Sequence, residues 1–231
     1  MTPKRQVAIM VGVFSALGVG VSVGIIAFGG GFSGGGGNLF NPPTASDIYV
    51  VGAQVTDGME LGYTLTGAGP DTSLEDADVK IVFDRQGDSW LTTFNIVNGT
   101  GARSDFDLML SSQLTKEGQT DAQVRPFLEP VESSILAIRD MGYGGRDKYL
   151  VVGAPWNTIS YSSSSTIVRV TAQETVQTPA GTFDAFLLSY KVGEKTSSIW
   201  VVKDLPFPVM AEVYDPSDQL LYQYELVSLS R

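Results

Sequence analysis

The sequence contains no cysteine and no histidine. Without cysteine it has no disulfide, thiolate nucleophile, iron–sulfur cluster or cysteine-ligated zinc site. Without histidine it has no Ser-His-Asp triad, no imidazole metal ligand and no imidazole proton shuttle near neutral pH. These absences favour a non-enzymatic protein, and we predict no catalytic residue, no cofactor and no metal site. Because the chain cannot form disulfides, the stability of its fold must come from the hydrophobic core alone.

Basic residues are few after the N-terminal segment. None of the 25 acidic residues lies before Asp47, and 13 of the 15 basic residues follow position 45, so residues 46–231 carry a formal charge of −12. A surface of this sign repels phosphate backbones, and nucleic acid is therefore not a predicted partner. The acidity is typical of a solvated surface, and a dedicated cation-binding function is the alternative interpretation.

The one long apolar run lies near the N-terminus. The 22 residues Val7–Phe28 contain no charge. As a helix they would be roughly 33 Å long, which is enough to cross a hydrocarbon core of about 30 Å. Lys4 and Arg5 precede the run, and no charge follows it before Asp47. Because basic residues stay on the cytoplasmic side, we expect a single-pass plasma-membrane protein with its N-terminus inside and its C-terminal domain outside.

A cleaved secretory signal is the rival interpretation of this run. The apolar stretch is longer than a typical signal core and has no A-x-A site after it, so we favour a retained signal anchor. Small residues recur at spacing four in this helix, as Gly18 with Ser22 and Gly20 with Gly24. Such spacing suits close helix packing with a membrane-protein partner or a second copy, although glycine is common in membrane helices in any case.

Composition divides the chain into three parts. Residues 1–28 form the cytoplasmic stub and anchor helix, 29–45 a linker rich in glycine and proline, and 46–231 the extracytoplasmic domain. Seven of the nine residues 29–37 are glycine, which cannot hold a helix. Treated as a flexible coil, the linker spans roughly 20–25 Å and holds the domain just clear of the head groups.

The outer domain is dominated by period-two alternation, which predicts β-strands. In Thr166–Gln177 we expect Val168, Val170, Ala172 and Val176 to share one face. Turn residues separate successive strands, which indicates an antiparallel meander. The other predicted strand runs are Val79–Phe83, Trp90–Ile96, Phe106–Leu110, Phe183–Val192, Ile199–Lys203, Val209–Tyr214 and Leu220–Leu229.

Residues 126–141 differ from this pattern. Their apolar side chains recur at spacings of three and four, which predicts one amphipathic helix with Pro130 in its first turns. We expect this helix to lie across one face of the sheet. The predicted fold class is therefore mainly β (α+β): a strongly curved antiparallel meander or half-barrel with one packed helix.

The C-terminal third contains a motif series: ETVQTPAGTF at 174–183, Trp200 in the next strand, PFPV at 206–209 and YEL at 224–226. It resembles a family of extracytoplasmic β-domains of unknown function found behind signal or anchor helices in bacteria and archaea. The resemblance covers roughly residues 148–229. More distantly, that family is similar to the lipoprotein-carrier (Lol-type) half-barrels, which implies a curved sheet with a helix over its concave side and suggests an apolar ligand. It implies no catalytic residue.

Each motif residue also has a structural interpretation. Pro179 and Gly181 suit a tight turn, and Phe183 and Trp200 suit the core, because aromatic burial removes a large area from water. Pro206 and Pro208 cannot donate ladder hydrogen bonds, so we place them at the start of a strand or at a sheet edge.

Other candidate chemistry is sparse. The carboxylates Asp71, Glu75, Asp76 and Asp78, and the pair Asp215 and Asp218, match no calcium-loop pattern and are interpreted as solvated loops. Ser162–Ser165 has no histidine or adjacent lysine to activate it. Asn98-Gly99-Thr100 is a glycosylation sequon, and Asn-Gly also favours a turn.

Three functional hypotheses follow. The favoured one is a non-catalytic accessory protein that binds a membrane complex or an envelope partner. The second is a carrier or sensor of an apolar ligand such as a lipid, held between helix 126–141 and the sheet. The third, a hydrolase that uses two carboxylates, needs a cleft in which two acidic groups converge.

Overall fold

The structure is a computed structural model that describes residues 44–67, 76–142, 148–161 and 164–231. The predicted anchor helix with Gly18, Gly20, Ser22 and Gly24, most of the linker, and the residues Asp71, Glu75, Ser162 and Ser163 lie outside the described residues. Within the described ranges, no helix combines the length and the apolar character needed to cross a bilayer.

The described residues form mainly β-structure, as predicted. After a short 3-10 turn at Ala45–Asp47, there are thirteen strands and two short helices in the described ranges. The elements are β1 Ile48–Tyr49, β2 Met59–Gly67, β3 Ala77–Gln86, β4 Ser89–Val97, β5 Arg103–Leu110, β6 Lys116–Glu117, α1 Arg125–Ser133, α2 Ala137–Gly142, β7 Lys148–Tyr149, β8 Pro155–Tyr161, β9 Ser164–Thr178, β10 Gly181–Lys191, β11 Thr196–Val201, β12 Met210–Tyr214 and β13 Leu220–Ser230.

Eleven of these strands form one antiparallel sheet. Its order is β6-β5-β4-β3-β2-β13-β12-β11-β10-β9-β8, and β1 pairs separately with β7. The sheet therefore consists of two meanders, β2 to β6 and β8 to β13, which are joined by the pairing of β2 with β13. In the pairing of β2 with β13, Tyr63 lies opposite Leu226.

Period-two alternation determines which side of the sheet is buried. In β4, Trp90, Thr92, Phe94 and Ile96 are buried, while the residues between them are partly exposed. The turn between β3 and β4 uses Gly87 at φ 63°, a backbone angle at which glycine has no side-chain clash. The predicted strands of this meander are confirmed.

The segment predicted as one helix over 126–141 is two helices, α1 and α2. The break lies at Ser134, whose φ of −119° and ψ of −89° are not helical. The Oγ atoms of Ser133 and Ser134 donate to the carbonyl oxygen of Pro130 at 3.1 and 2.6 Å. Serine hydroxyls that bond back to the preceding turn compete with the helix backbone, and the single-helix prediction is wrong for this reason.

The buried side of the sheet is covered by α1, α2 and the connection between β11 and β12. We call it the covered face and the opposite side the outer face. In this connection Leu205, Phe207 and Val209 are at most 1% exposed and belong to the same core cluster as the inward residues of both helices. The hydroxyl of Tyr49 donates to the carbonyl oxygens of Leu205 and Pro206, both at 2.9 Å. Residues 205–209 therefore form a plug inside the core.

Two buried tyrosines differ in their hydrogen bonds and so provide a stability test. The hydroxyl of Tyr49 is bonded twice, whereas the buried hydroxyl of Tyr63 has no partner. We expect Tyr49→Phe to lower the free energy of unfolding by about 1–3 kcal/mol, because it leaves two buried carbonyls unpaired. We expect Tyr63→Phe to be neutral or stabilising by about 1 kcal/mol, since it removes an unsatisfied buried group. Urea unfolding of both variants beside the unmodified chain measures the difference, and equal losses would contradict the assignment.

Candidate functional site

A β-bulge in β9 changes which side chains reach the outer face. Leu188 pairs with Val170 and Leu187 pairs with Ala172, so Thr171 is the extra residue. Consecutive residues of β10 point to opposite faces, and paired residues point to the same face. Val170 therefore lies on the covered face and Ala172 on the outer face. The prediction that Val168, Val170, Ala172 and Val176 share one face is wrong beyond the bulge.

The bulge completes an apolar row across four strands of the outer face. Ala172 of β9 pairs with Leu187, Leu187 with Trp200 of β11, and Trp200 with Met210 of β12. All four side chains are partly exposed. Their chain neighbours Leu188, Ile199, Val201 and Ala211 are buried on the covered face. We call the row, together with Glu174, the Trp200 surface.

Trp200 is held in place by a carboxylate two strands away. Its Nε1–H donates to Oε1 of Glu174 at 2.7 Å. Glu174 pairs with Ala185 of β10, so the indole must extend across β10 to reach it, and Ala185 is fully buried at this crossing. The ring is therefore fixed along the sheet and remains partly exposed. The prediction that Trp200 is a core residue holds only in part, because the ring packs against the edge of the core.

The tip of the β9–β10 hairpin continues this surface. Val176 pairs with Phe183, and Val176 is buried while Phe183 is partly exposed. At the turn, Gly181 has φ 143°, and the N–H of Ala180 donates to the carbonyl oxygen of Leu226 in β13 at 3.4 Å. Glu174, Val176 and Phe183 of the motif are thus brought to the same face as Trp200, from which they are separated in the sequence.

The outer face of the other meander mixes partly exposed apolar side chains, such as Val82, Leu91 and Met109, with polar groups that bond to one another. Lys80 and Glu60 form an ion pair at 2.8 Å. Thr93 donates to Asp107 at 2.6 Å, and Asn95 donates to Asp105 at 2.9 Å. These polar groups satisfy one another, whereas the Trp200 surface is an unbroken apolar row across four strands that contains a partly exposed tryptophan.

Carboxylates border the Trp200 surface. Glu225 of β13 pairs with Met210, and Glu212 pairs with Ser198 of β11, both on the outer face. Glu212 also accepts a hydrogen bond from the hydroxyl of Tyr214. With Glu174, three glutamates surround the apolar row, and the site is electronegative.

The other residues singled out from the sequence have structural partners. Oδ1 of Asn98 accepts bonds from the N–H of Thr100 and of Ala102, which closes the turn between β4 and β5. Oδ1 of Asp215 accepts backbone N–H bonds that close the turn before β13. Oδ1 of Asp218 accepts bonds from the N–H groups of Glu194 and Lys195, both at 2.8 Å.

The remaining acidic and serine residues lie at the ends of strands. Asp76 and Asp78 are exposed at the start of β3, and Ser164 and Ser165 begin β9. Within the described ranges, no three acidic groups lie close enough together to hold a metal ion.

Pro206 and Pro208 lie in the buried plug that precedes β12 and not at a sheet edge. The plug and the apolar side chains of α1 and α2 pack into one core cluster with the covered face, and this packing gives the lipid-carrier hypothesis no support. A cleft of about 480 Å³ lies at β6 and α1. Its lining is mainly polar, and its Glu132 is already paired with Lys116 at 3.7 Å and with Arg139 at 2.7 Å.

The covered interior has its own electrostatics. Burial raises the pKa of Tyr49, Tyr63 and Tyr224 well above the ordinary tyrosine value, with a smaller contribution from repulsion among the hydroxyls in Tyr63 and Tyr224. The rings of Tyr63 and Tyr224 meet edge to face at 5.8 Å. These groups stay neutral across the physiological range and belong to the core.

No known family's sequence profile matches the chain, and no curated protein is detectably similar to it. Among solved structures, the crystal structure of MucB in complex with MucA(peri) gives a TM-score of 0.40 at 11% identity and covers 77% of this chain and 51% of the matched chain. The crystal structure of MucB gives 0.38 at 9% identity, with 78% and 55% covered. The Pseudomonas aeruginosa MucA/MucB complex gives 0.40 at 14% identity, with 78% and 54% covered.

This chain thus spans about half the length of the chains it matches. At this level of similarity, neither a function nor a partner follows for it. The resemblance of residues 148–229 to extracytoplasmic β-domains and to Lol-type half-barrels stays a prediction from the sequence.

Proposed function

We propose that this chain is a membrane-tethered, extracytoplasmic binding protein without catalytic activity, which holds a protein partner of the membrane or envelope through the Trp200 surface. The observation that supports it most is the partly exposed Trp200 ring, fixed by Glu174 at 2.7 Å within an apolar row. Tryptophan fixed in this way loses little entropy on binding and is enriched among the residues that dominate interface energies.

The rest of the chain is consistent with this role. The apolar run Val7–Phe28 tethers the domain, and the glycine-rich linker holds it close to the bilayer. The half-barrel shape belongs to this proposal too. Ten of the eleven strands and the plug contribute residues to one core cluster, and a strongly curved sheet would allow them to do so. Because the covered face packs against the helices and the plug, we assign the partner to the outer face.

Single-cysteine variants test topology and binding together, because the chain has no cysteine of its own. Leu187→Cys lies on the Trp200 surface, and Thr93→Cys is the matched control on the polar part of the outer face. We expect a membrane-impermeant maleimide to label both variants in intact cells. We expect a cysteine-directed photo-crosslinker to join only Leu187→Cys to a defined membrane or envelope protein.

Two results would argue against the proposal. Labelling of both variants only after lysis would place the domain inside the cell. Identical crosslinks from both positions, or none from Leu187→Cys, would remove the Trp200 surface as the binding site. Equal expression and equal urea unfolding of the two variants are the required controls.

A further inference from the structure

We propose that the Trp200 surface binds a basic segment of its partner, with an arginine or lysine side chain stacked on the indole and its charge shared among the surrounding glutamates. This inference rests on the proposed function and adds the chemistry of the partner. It follows from three features of the outer face: the orientation of one ring, the sign of the charges around it, and the way cations are placed elsewhere in the domain.

The first feature is the fixed ring. Because Nε1 of Trp200 is bonded to Glu174 across β10, the indole extends along the sheet above the buried Ala185. The residue is partly exposed, and an indole that lies along the sheet has one negative π face available to a partner. A cation within about 6 Å of such a face is attracted to it, and tryptophan is the strongest of the aromatic side chains in this interaction.

The second feature is the charge around the ring. Glu174 touches the indole, Glu225 pairs with Met210 in the same row, and Glu212 lies in the next row toward the β12–β13 turn. Two basic residues of the described chain are near the row. Lys203, three residues beyond Trp200, donates to the carbonyl oxygen of Ser46, and Arg169 pairs with Ser189 at the far side of that next row. Residues 46–231 also carry a formal charge of −12. The surface therefore attracts a basic segment and repels an acidic one.

The third feature is how the domain's own cations use aromatic rings. The guanidinium of Arg85 lies 5.5 Å from the ring centre of Trp90, and the ammonium of Lys195 lies 4.4 Å from that of Tyr214. In the part of the chain that the structure describes, no lysine or arginine lies over Trp200. A cation from the partner would give Trp200 the contact that the other two rings receive from this chain.

The test uses the full chain in a polyoxyethylene detergent, which has neither choline nor sugar head groups. The probe is an arginine–glycine repeat peptide, and a glutamate–glycine repeat of equal length is its matched control. Trp90 and Trp156 are buried, so a change in tryptophan emission reports mainly on Trp200. Calorimetry gives the dissociation constant. We expect binding of the arginine peptide only, and weaker binding as salt is raised.

Variants assign the binding to the ring and the carboxylates. We expect Trp200→Leu to weaken the affinity by about tenfold and Trp200→Phe by less, since phenylalanine keeps a weaker π face. Glu174→Gln keeps an acceptor for the indole N–H and removes one charge, so a loss of a few-fold is expected. Glu60→Gln, on the same face but in the ion pair with Lys80, should leave the affinity unchanged.

Three results would overturn the inference. The first is that the Trp200→Leu variant binds the arginine peptide as tightly as the unmodified chain does. The second is that the unmodified chain does not bind the arginine peptide even at low salt. The third is a stronger emission change with phosphatidylcholine vesicles or a soluble oligosaccharide than with the peptide, which would assign the ring to a choline head group or a sugar. If Leu187→Cys still crosslinks to a protein in any of these cases, the proposed function stands and only the partner chemistry is wrong.

Discussion

Replacing Phe207 with alanine is expected to lower the free energy of unfolding by about 3–5 kcal/mol. Phe207 is fully buried at the centre of the plug, and its ring centre lies 6.1 Å from that of Phe83 in β3. The plug belongs to the β8–β13 meander and Phe83 to the other, so this contact joins the two halves of the domain inside the core. Alanine would leave a cavity there, because the plug is also fixed through the two bonds from Tyr49 and cannot collapse to fill it.

Urea unfolding followed by near-ultraviolet circular dichroism measures this loss. Val152→Ala is the matched control, since Val152 is 48% exposed and its truncation should change the free energy of unfolding by less than about 0.5 kcal/mol. If Phe207→Ala were no worse than this control, the plug would not be part of the stabilising core.

Alkaline pH should unfold the domain steeply. Burial raises the pKa of Tyr49, Tyr63 and Tyr224 above the ordinary value of 10.0, so the unfolded chain loses these protons at lower pH than the folded chain. The folded state then binds more protons than the unfolded state, and stability falls as pH rises. The stabilisation is complete below about pH 10, and with three groups it is lost above that at about 4 kcal/mol per pH unit.

Tyr63→Phe is the matched variant for the pH series, because it removes one of the three groups along with an unpaired hydroxyl. The slope above about pH 10 should fall by about a third. An unchanged slope, or ultraviolet spectra that show all tyrosines ionising near pH 10 in the folded protein, would contradict the buried-tyrosine explanation.

Much of the sheet was predictable because its local signals agree. β3 and β4 alternate cleanly, and the turn between them carries Gly87 where a positive φ is needed. Side chains that alternate in polarity bury one face in any antiparallel arrangement, so these strands can be recognised without knowing their partners. The order of the strands could not be derived in this way, since the pairing of β2 with β13 depends on residues far apart in the chain.

The errors come from residues that act on the backbone. Ser133 and Ser134 share the polarity of a helix surface, but their hydroxyls bond back to Pro130 and end α1. Thr171 fits the alternation of β9, yet it is the extra residue of the bulge and reverses every side chain beyond it. Neither the helix break nor the bulge changes the spacing of apolar residues in the sequence, so the periodicity of the sequence could not reveal either of them.

The candidate site was found in the sequence only as a motif. The motif contains Glu174, Phe183 and Trp200, and the size of the two aromatic rings predicts that they lie in the core. The bulge in β9 brings Glu174 to the face on which Trp200 lies, and the bond between the two depends on strand register. Glu174 could have indicated that this motif lies at the surface. A buried carboxylate without a cation is costly, so a motif that contains one is more easily placed on an exposed face.

The pairing of β2 with β13 also sets the order of events as the chain is made. Tyr63 meets Leu226, 163 positions later, so the strand that completes the middle of the sheet is made after every other strand of that sheet. Until then the first meander has an open inner edge, and contact order this high is associated with slow folding. The two meanders can therefore join into one sheet only after β13 has been made, however early the first meander forms its own pairs.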